Sequence, residues 1–128
     1  MTVGGEEVSR IGAGLLVLLG VRRGDGPDQA ERLARKLLAL RIFEDDDGRM
    51  NRSVADMDGE ILCVSQFTLY GDARRGNRPS FVDAAPAEEA EPLYEQVRTA
   101  LGAAGGVFGA RMAVALVNDG PVTLLVEA

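Results

Sequence analysis

Histidine is absent from the 128 residues, and cysteine occurs once, at Cys63. These absences exclude Ser-His-Asp and Cys-His nucleophilic mechanisms and every His-containing zinc site. A transition-metal centre would have to be built from carboxylates alone, so neither a metal nor a cofactor is expected. A single cysteine allows no internal disulfide. Cys63 lies within an apolar, strand-like run and reads as a small buried hydrophobe rather than a nucleophile. Long hydrophobic runs are missing as well. The longest, 14–21 and 121–126, fall far short of the ~20 residues that cross a bilayer. The start, MTVGGEEVSR, has no basic segment leading into an apolar one, so no secretory signal is read there and the cytosol is the expected compartment.

Internal repeats, low-complexity tracts and linkers are also lacking, and the length suits one domain over residues 1–128. Such a chain buries roughly two-thirds of its unfolded surface and can build a core unaided. The hydrophobic share of 46% and charged share of 27% are those of an ordinary globular protein. The net charge of −6 and pI near 4.6 count against nucleic acid, whose phosphates call for a basic surface. That objection concerns the long-range field. With a screening length of about 8 Å at physiological salt, a local arginine cluster still holds phosphate.

The pattern of elements is α+β. Residues 2–11 read as a hairpin, with Gly4-Gly5 turning between Thr2-Val3 and Val8–Ile11. Leu15–Val21 suits a central strand buried on both faces. Pro27 stands at the first position of an amphipathic helix of about four turns, with Ala30, Leu33, Ala34, Leu37 and Leu38 on its apolar face. Asp45-Asp46-Asp47-Gly48 is a turn. Ile61–Leu69 is a second buried strand with a polar end. A second helix spans Pro86–Leu101, and Pro92 should kink it. Arg111–Val117 and Pro121–Val126 read as strands joined at Asn118-Asp119-Gly120. The expected fold is a compact domain with a mostly antiparallel or mixed, barrel-like sheet and two helices covering one side.

Several motifs dissolve on inspection. Gly12 and Gly14 suggest a dinucleotide loop, but Val17 replaces the third glycine and a strand follows where a helix is required. Asp45, Asp47 and Gly48 open like a calcium loop, yet Arg49 and Asp56 stand where ligands belong. Glu88, Glu89 and Glu91 are helix-start acids. Ser65, Gln66, Phe67 and Thr68 differ, because they close a buried strand where a sheet presents groups to a pocket. They read either as hydroxyls capping a strand end or as a site whose backbone amides bind a carbonyl or developing oxyanion. No base is at hand to activate either hydroxyl. Asn118–Pro121 is equally divided between a plain turn and something more. Arg74, Arg75 and Arg78 suit bidentate phosphate contact or a solvated loop that neutralises nearby acids.

Taken together, SQFTL at Ser65–Leu69 and NDGPVT at Asn118–Thr123 resemble the two signature motifs of the D-aminoacyl-tRNA deacylase family. The segments IGAGLLVLLGV from Ile11, RIF from Arg41, Met50-Asn51 and RGNRPSF from Arg75 agree in order and spacing, so the similarity spans essentially the whole chain. It implies a homodimer that binds the aminoacylated 3′ end of tRNA, and neither DNA nor membrane. Ser65, Gln66, Phe67 and Thr68 would line the pocket. Gly120-Pro121, flanked by Asn118 and Val122, would be a Gly-cisPro pair projecting into the partner's pocket. Its carbonyls would exclude an L side chain while admitting a D one or glycine. Catalysis would draw on the ribose hydroxyl of the tRNA itself, with backbone groups positioning the ester.

An aminoacyl ester is already activated, so orientation and a few donors suffice, which suits a chain without histidine. Rejection by a rigid wall excludes more sharply than a pocket rewards one methylene. The family's opening strand, of R-x-x-x-Q-R-V type with an Arg that helps hold the Gly-Pro loop, has no counterpart before Thr2. The expectation is a start upstream of Met1, or a late start that leaves a sheet edge open and weakens dimer and site. Two other readings stay open: an esterase using Thr68 as nucleophile, and a non-catalytic tRNA-binding or assembly module.

Overall fold

The computed structural model describes residues 1–120 and 122–128. Among the described residues two helices form where the apolar spacing places them. The first, α1 (Pro27–Ala39), has Pro27 at its first position and Asp28 in its first turn, and buries Ala30, Ala34 and Leu37. Its start is held by the Gln29 side chain, whose Oε1 accepts the Gly26 amide at 2.9 Å. The second, α2 (Ala87–Leu101), continues through Pro92 and buries Ala90, Tyr94, Val97 and Leu101 on one stripe. Gly102 ends it at φ +62, in the left-handed cap conformation that glycine adopts without strain.

Among the described residues the strands fall into three small sheets. β1 (Thr2–Val3) and β2 (Glu6–Glu7) form the Gly4-Gly5 hairpin. Its second arm is therefore two residues at Glu6–Glu7, and not Val8–Ile11. β4 (Phe43–Glu44) and β5 (Met50–Arg52) flank the Asp45–Gly48 turn. The parallel sheet is made of β3 (Gly14–Leu19), β6 (Glu60–Ser65) and β7 (Ala104–Gly105), in the order β3-β6-β7. β8 (Met112–Ala113) pairs antiparallel with β1. The α+β class stands, with both strand senses present.

Three further sequence expectations change. The apolar run of β3 is an edge strand of its sheet and β6 is the central one. Leu15, Val17 and Leu19 pack against the core, whereas Leu18, on the other face, is 44% exposed. A continuous apolar run thus marks one buried face and one left uncovered in the single chain. The run expected as a strand to Leu69 stops at Ser65, and Phe67–Tyr70 is a 3-10 turn. Finally, of the strands read at 111–117 and 121–126, only Met112–Ala113 pairs. The described residues after it find no neighbouring strand, and a run of apolar residues does not make a ladder without one.

The core sits where α1 and α2 cover one face of the parallel sheet, around Leu37, Ile61, Cys63, Tyr94, Val97 and Leu101. Cys63 is fully buried, and this burial pushes its thiol pKa up to about 12. It is the small hydrophobe its context predicts, without thiolate reactivity. Among the described residues, no helix is long and apolar enough to cross a membrane.

Candidate active site

β3 and β6 run parallel in unbroken register from Gly14↔Glu60 to Leu19↔Ser65. Their carboxyl ends therefore emerge side by side, at the edge of a parallel sheet where loops gather polar groups around a ligand. The Gln66 amide extends the pairing by one bond to the Leu19 carbonyl at 2.8 Å. There the backbone turns. Gln66 (φ −141, ψ 80) leaves the extended conformation and Phe67–Tyr70 coil into the 3-10 turn, closed by Leu69 N to Gln66 O at 3.2 Å and Gly71 N to Thr68 O at 2.9 Å. The turn carries Phe67 and Thr68 out to solvent, with Ser65 and Gln66 half-buried behind them. Ser65, Gln66, Phe67 and Thr68 thus form one polar lip on a rigid strand.

Within that lip the Gln66 Nε2 donates to Thr68 Oγ1. The hydroxyl is held as an acceptor, and no imidazole or thiolate stands by to take its proton. The turn also binds the segment that follows. Phe67 packs edge-on against Phe81, ring centroids 5.3 Å apart. This contact needs Gly71 to lack a side chain, because a Cβ there would stand 2.8 Å from the Phe81 ring and 2.9 Å from the Thr68 carbonyl.

The arginine-rich loop is pinched shut by two backbone bonds between Asp72 and Ser80, at 2.7 and 2.8 Å. Arg74 folds back onto Asp72, donating from its Nε and terminal nitrogen at 2.9 and 2.8 Å, while its backbone amide donates to the same carboxylate at 2.9 Å. Hydrogen bonds from Arg74 hold the Asp72 pKa down at about 2. Arg75 and Arg78 are exposed on the same loop and make no salt bridge among the described residues. Of the three arginines expected to touch phosphate, Arg74 is committed to the loop and the other two face water.

A second tether is Arg23, which the sequence pattern does not single out. Its Nε donates to the Val82 carbonyl at 2.6 Å, and its amide donates to the Asp83 carbonyl at 2.9 Å, joining the segment after β3 to the segment after the arginine loop. Phe81 and Arg23 lie far apart in sequence and follow no local period, so only the tertiary arrangement pairs them with the site.

The second motif makes its own local bond. Asn118 Nδ2 donates to Thr123 Oγ1 across the turn at 3.2 Å, and Gly120 has φ +142, a conformation that favours glycine. Asn118 is exposed and Val122 half-buried. Pro121, and with it the expected cis bond, lies outside the described residues. Among the described residues, no hydrogen bond joins 118–122 to Ser65–Thr68 within the chain. Leu116, Val117, Leu124 and Leu125, which flank the turn, are all exposed, Val117 at 89% and Leu125 at 79%. Among the described residues no group of three acidic or cysteine side chains is placed to hold a metal ion.

The chain resembles known proteins over nearly its whole length. The chain is 57% identical over 133 residues to the D-aminoacyl-tRNA deacylase of Desulfitobacterium hafniense, covering 100% of this chain and 89% of that protein. It is 54% identical over 133 residues to that of Thermus aquaticus, covering 100% and 88%. Among solved structures, the c-Myc DNA unwinding element binding protein superposes with a TM-score of 0.92 at 45% identity, over 99% of this chain and 90% of that one. A probable eukaryotic D-amino acid tRNA deacylase shares the fold at a TM-score of 0.69 and 20% identity, over 86% and 83%. The family model described as D-Tyr-tRNA(Tyr) deacylase matches residues 1–127, and the chain belongs to that family.

Proposed function

We propose that this protein is an editing hydrolase that removes D-amino acids from mischarged tRNA, and glycine from mischarged tRNA(Ala). It acts as a homodimer of single-domain subunits in the cytoplasm, without cofactor or metal. The observation that carries the reading is the lip at Ser65–Thr68, which offers positioned backbone and polar groups but no histidine-type base and no activated nucleophile. Such a site suits a substrate that arrives activated and brings its own catalytic hydroxyl. An aminoacyl ester beside a ribose 2′-hydroxyl is that substrate. Backbone amides at the turn stabilise the developing oxyanion, and orientation supplies much of the remaining acceleration.

Chirality is judged by Gly120-Pro121 reaching into the partner's pocket. The exposed apolar flanks of the turn, and the lack among the described residues of hydrogen bonds from it to Ser65–Thr68 of the same chain, support a second copy covering this face. Arg75 and Arg78 reach phosphates of the tRNA. One relative's name refers to a DNA element, but the net charge of −6 disfavours a duplex held by its phosphates alone.

The test compares two deletions of a hydroxyl. Thr68→Ala lowers deacylation of D-Tyr-tRNA by less than about tenfold, the scale of one lost hydrogen bond. A tRNA ending in 2′-deoxyadenosine, aminoacylated at its 3′-hydroxyl, is nearly inert. The reverse pattern, with Thr68→Ala dead and the deoxy substrate normal, would assign the chemistry to a Thr68 nucleophile.

A further inference from the structure

Tyr94, on α2, is only 1% exposed, and its hydroxyl lies inside the sheet. A buried tyrosine hydroxyl requires partners, and this one has two. It donates to the Cys63 carbonyl at 2.6 Å and accepts the Gly106 amide at 3.3 Å. The Glu60 and Gln66 amides point to β3, bonding the carbonyls of Ala13 and Leu19 at 3.1 and 2.8 Å. Alternation along β6 then turns Cys63 and Ser65 toward β7. β6 and β7 pair through Leu62↔Ala104 and Cys63↔Gly105. A regular parallel ladder would next place the Gly106 amide on the Cys63 carbonyl, and the Tyr94 hydroxyl bridges those two groups.

Gly105 makes room for this bridge. A Cβ there would stand 2.9 Å from the Tyr94 oxygen and 2.6 Å from Arg98 Cδ. Burial raises the pKa of the hydroxyl, so it remains a donor. Beyond the bridge β7 has ended, while β6 runs on to Ser65. Among the described residues, no strand lies along that edge of Ser65. The bridge is therefore the last tie on the β7 side before the lip.

We propose that Tyr94 is a positioning residue for the reaction: its hydroxyl holds β6 and β7 apart at Cys63 and Gly106, and so fixes where Ser65–Thr68 leave the sheet. This rests on the deacylase reading above. Tyr94 touches no substrate. It acts through the Cys63 carbonyl on backbone groups that must meet the ester within a fraction of an ångström.

Tyr94→Phe keeps the ring and removes the oxygen. For D-Tyr-tRNA its kcat falls by about three- to tenfold, while KM stays within about twofold, because contacts to the tRNA body are untouched. Gly105→Ala, which pushes the hydroxyl aside, gives the same loss, and the double variant is no worse than the poorer single one. Amide exchange of residues 63–67 quickens in Tyr94→Phe while that of α1 is unchanged. A Tyr94→Phe protein with normal kcat and normal exchange at 63–67, altered only in melting temperature, overturns the proposal. Should the unmodified protein fail to release D-tyrosine, the deacylase reading falls on that result alone, and the exchange measurement still decides whether Tyr94 sets the geometry of the lip.

Discussion

Gly14 lies directly against the Glu60 carbonyl: a Cβ on Gly14 would stand 1.8 Å from the Glu60 oxygen and 2.7 Å from its carbon and nitrogen. These contacts are all backbone, so no side chain can swing away to relieve them. The parallel register that ends at Leu19↔Ser65 begins at this pair. Gly14→Ala must part the two strands at their first rung. The expected cost is about 3 kcal/mol, at the upper end for inserting a methyl where there is no room. Urea unfolding checks this, with a lower midpoint and an unchanged slope.

The Arg74–Asp72 pair makes a pH prediction. The folded Asp72 carboxyl titrates at about 2, below its ordinary 3.8, chiefly through hydrogen bonds from Arg74. A depressed folded value means the pair's contribution is complete above 3.8 and is lost as pH falls toward 2. Both groups sit at the surface, so the contribution to overall stability is small and the effect is local. Carbon-detected NMR of the Asp72 carboxyl checks it. The expected midpoint is near 2, moving up toward 3.8 in Arg74→Ala, and a midpoint near 3.8 in the unmodified protein contradicts the pairing.

Much of this arrangement was legible in the sequence, and the exceptions share a cause. Pro27 and the Ala30–Leu38 stripe specify α1, because helix signals are local and periodic. The stripe of α2 is legible for the same reason. Ser65–Thr68 stood out because polar residues closed an apolar run. The edge position of β3 did not show, since an apolar face that the chain leaves open reads the same as one it covers. The stretch after Ala113 failed in a related way: Leu116, Val117, Leu124 and Leu125 cluster as strand residues do, but a strand is made by its neighbour. Arg23 on Val82 and Phe81 on Phe67 were invisible because sequence spacing does not carry contacts between distant loops. The resemblance, by contrast, drew on motifs far apart in sequence and reached the family directly.

The exposed apolar residues on either side of Asn118–Gly120 give a third prediction. If a second copy covers the residues flanking Asn118–Gly120, the double substitution Val117→Asp with Leu125→Asp places two unpaired carboxylates against it. Both side chains are exposed in the single subunit, so its own fold is unaffected. Sedimentation velocity should show a two-subunit species for the unmodified protein and one subunit for the variant, with matching far-UV circular dichroism. A single-subunit species before any substitution would contradict the shared pocket.

The central claim is chiral release from tRNA without help from a protein base. It is tested by incubating the purified protein with D-Tyr-tRNA and L-Tyr-tRNA in parallel, with chelator present. The account predicts release of D-tyrosine under conditions where the L ester survives at its spontaneous rate. Equal release of both, or binding of both tRNAs with no release of either, would contradict it.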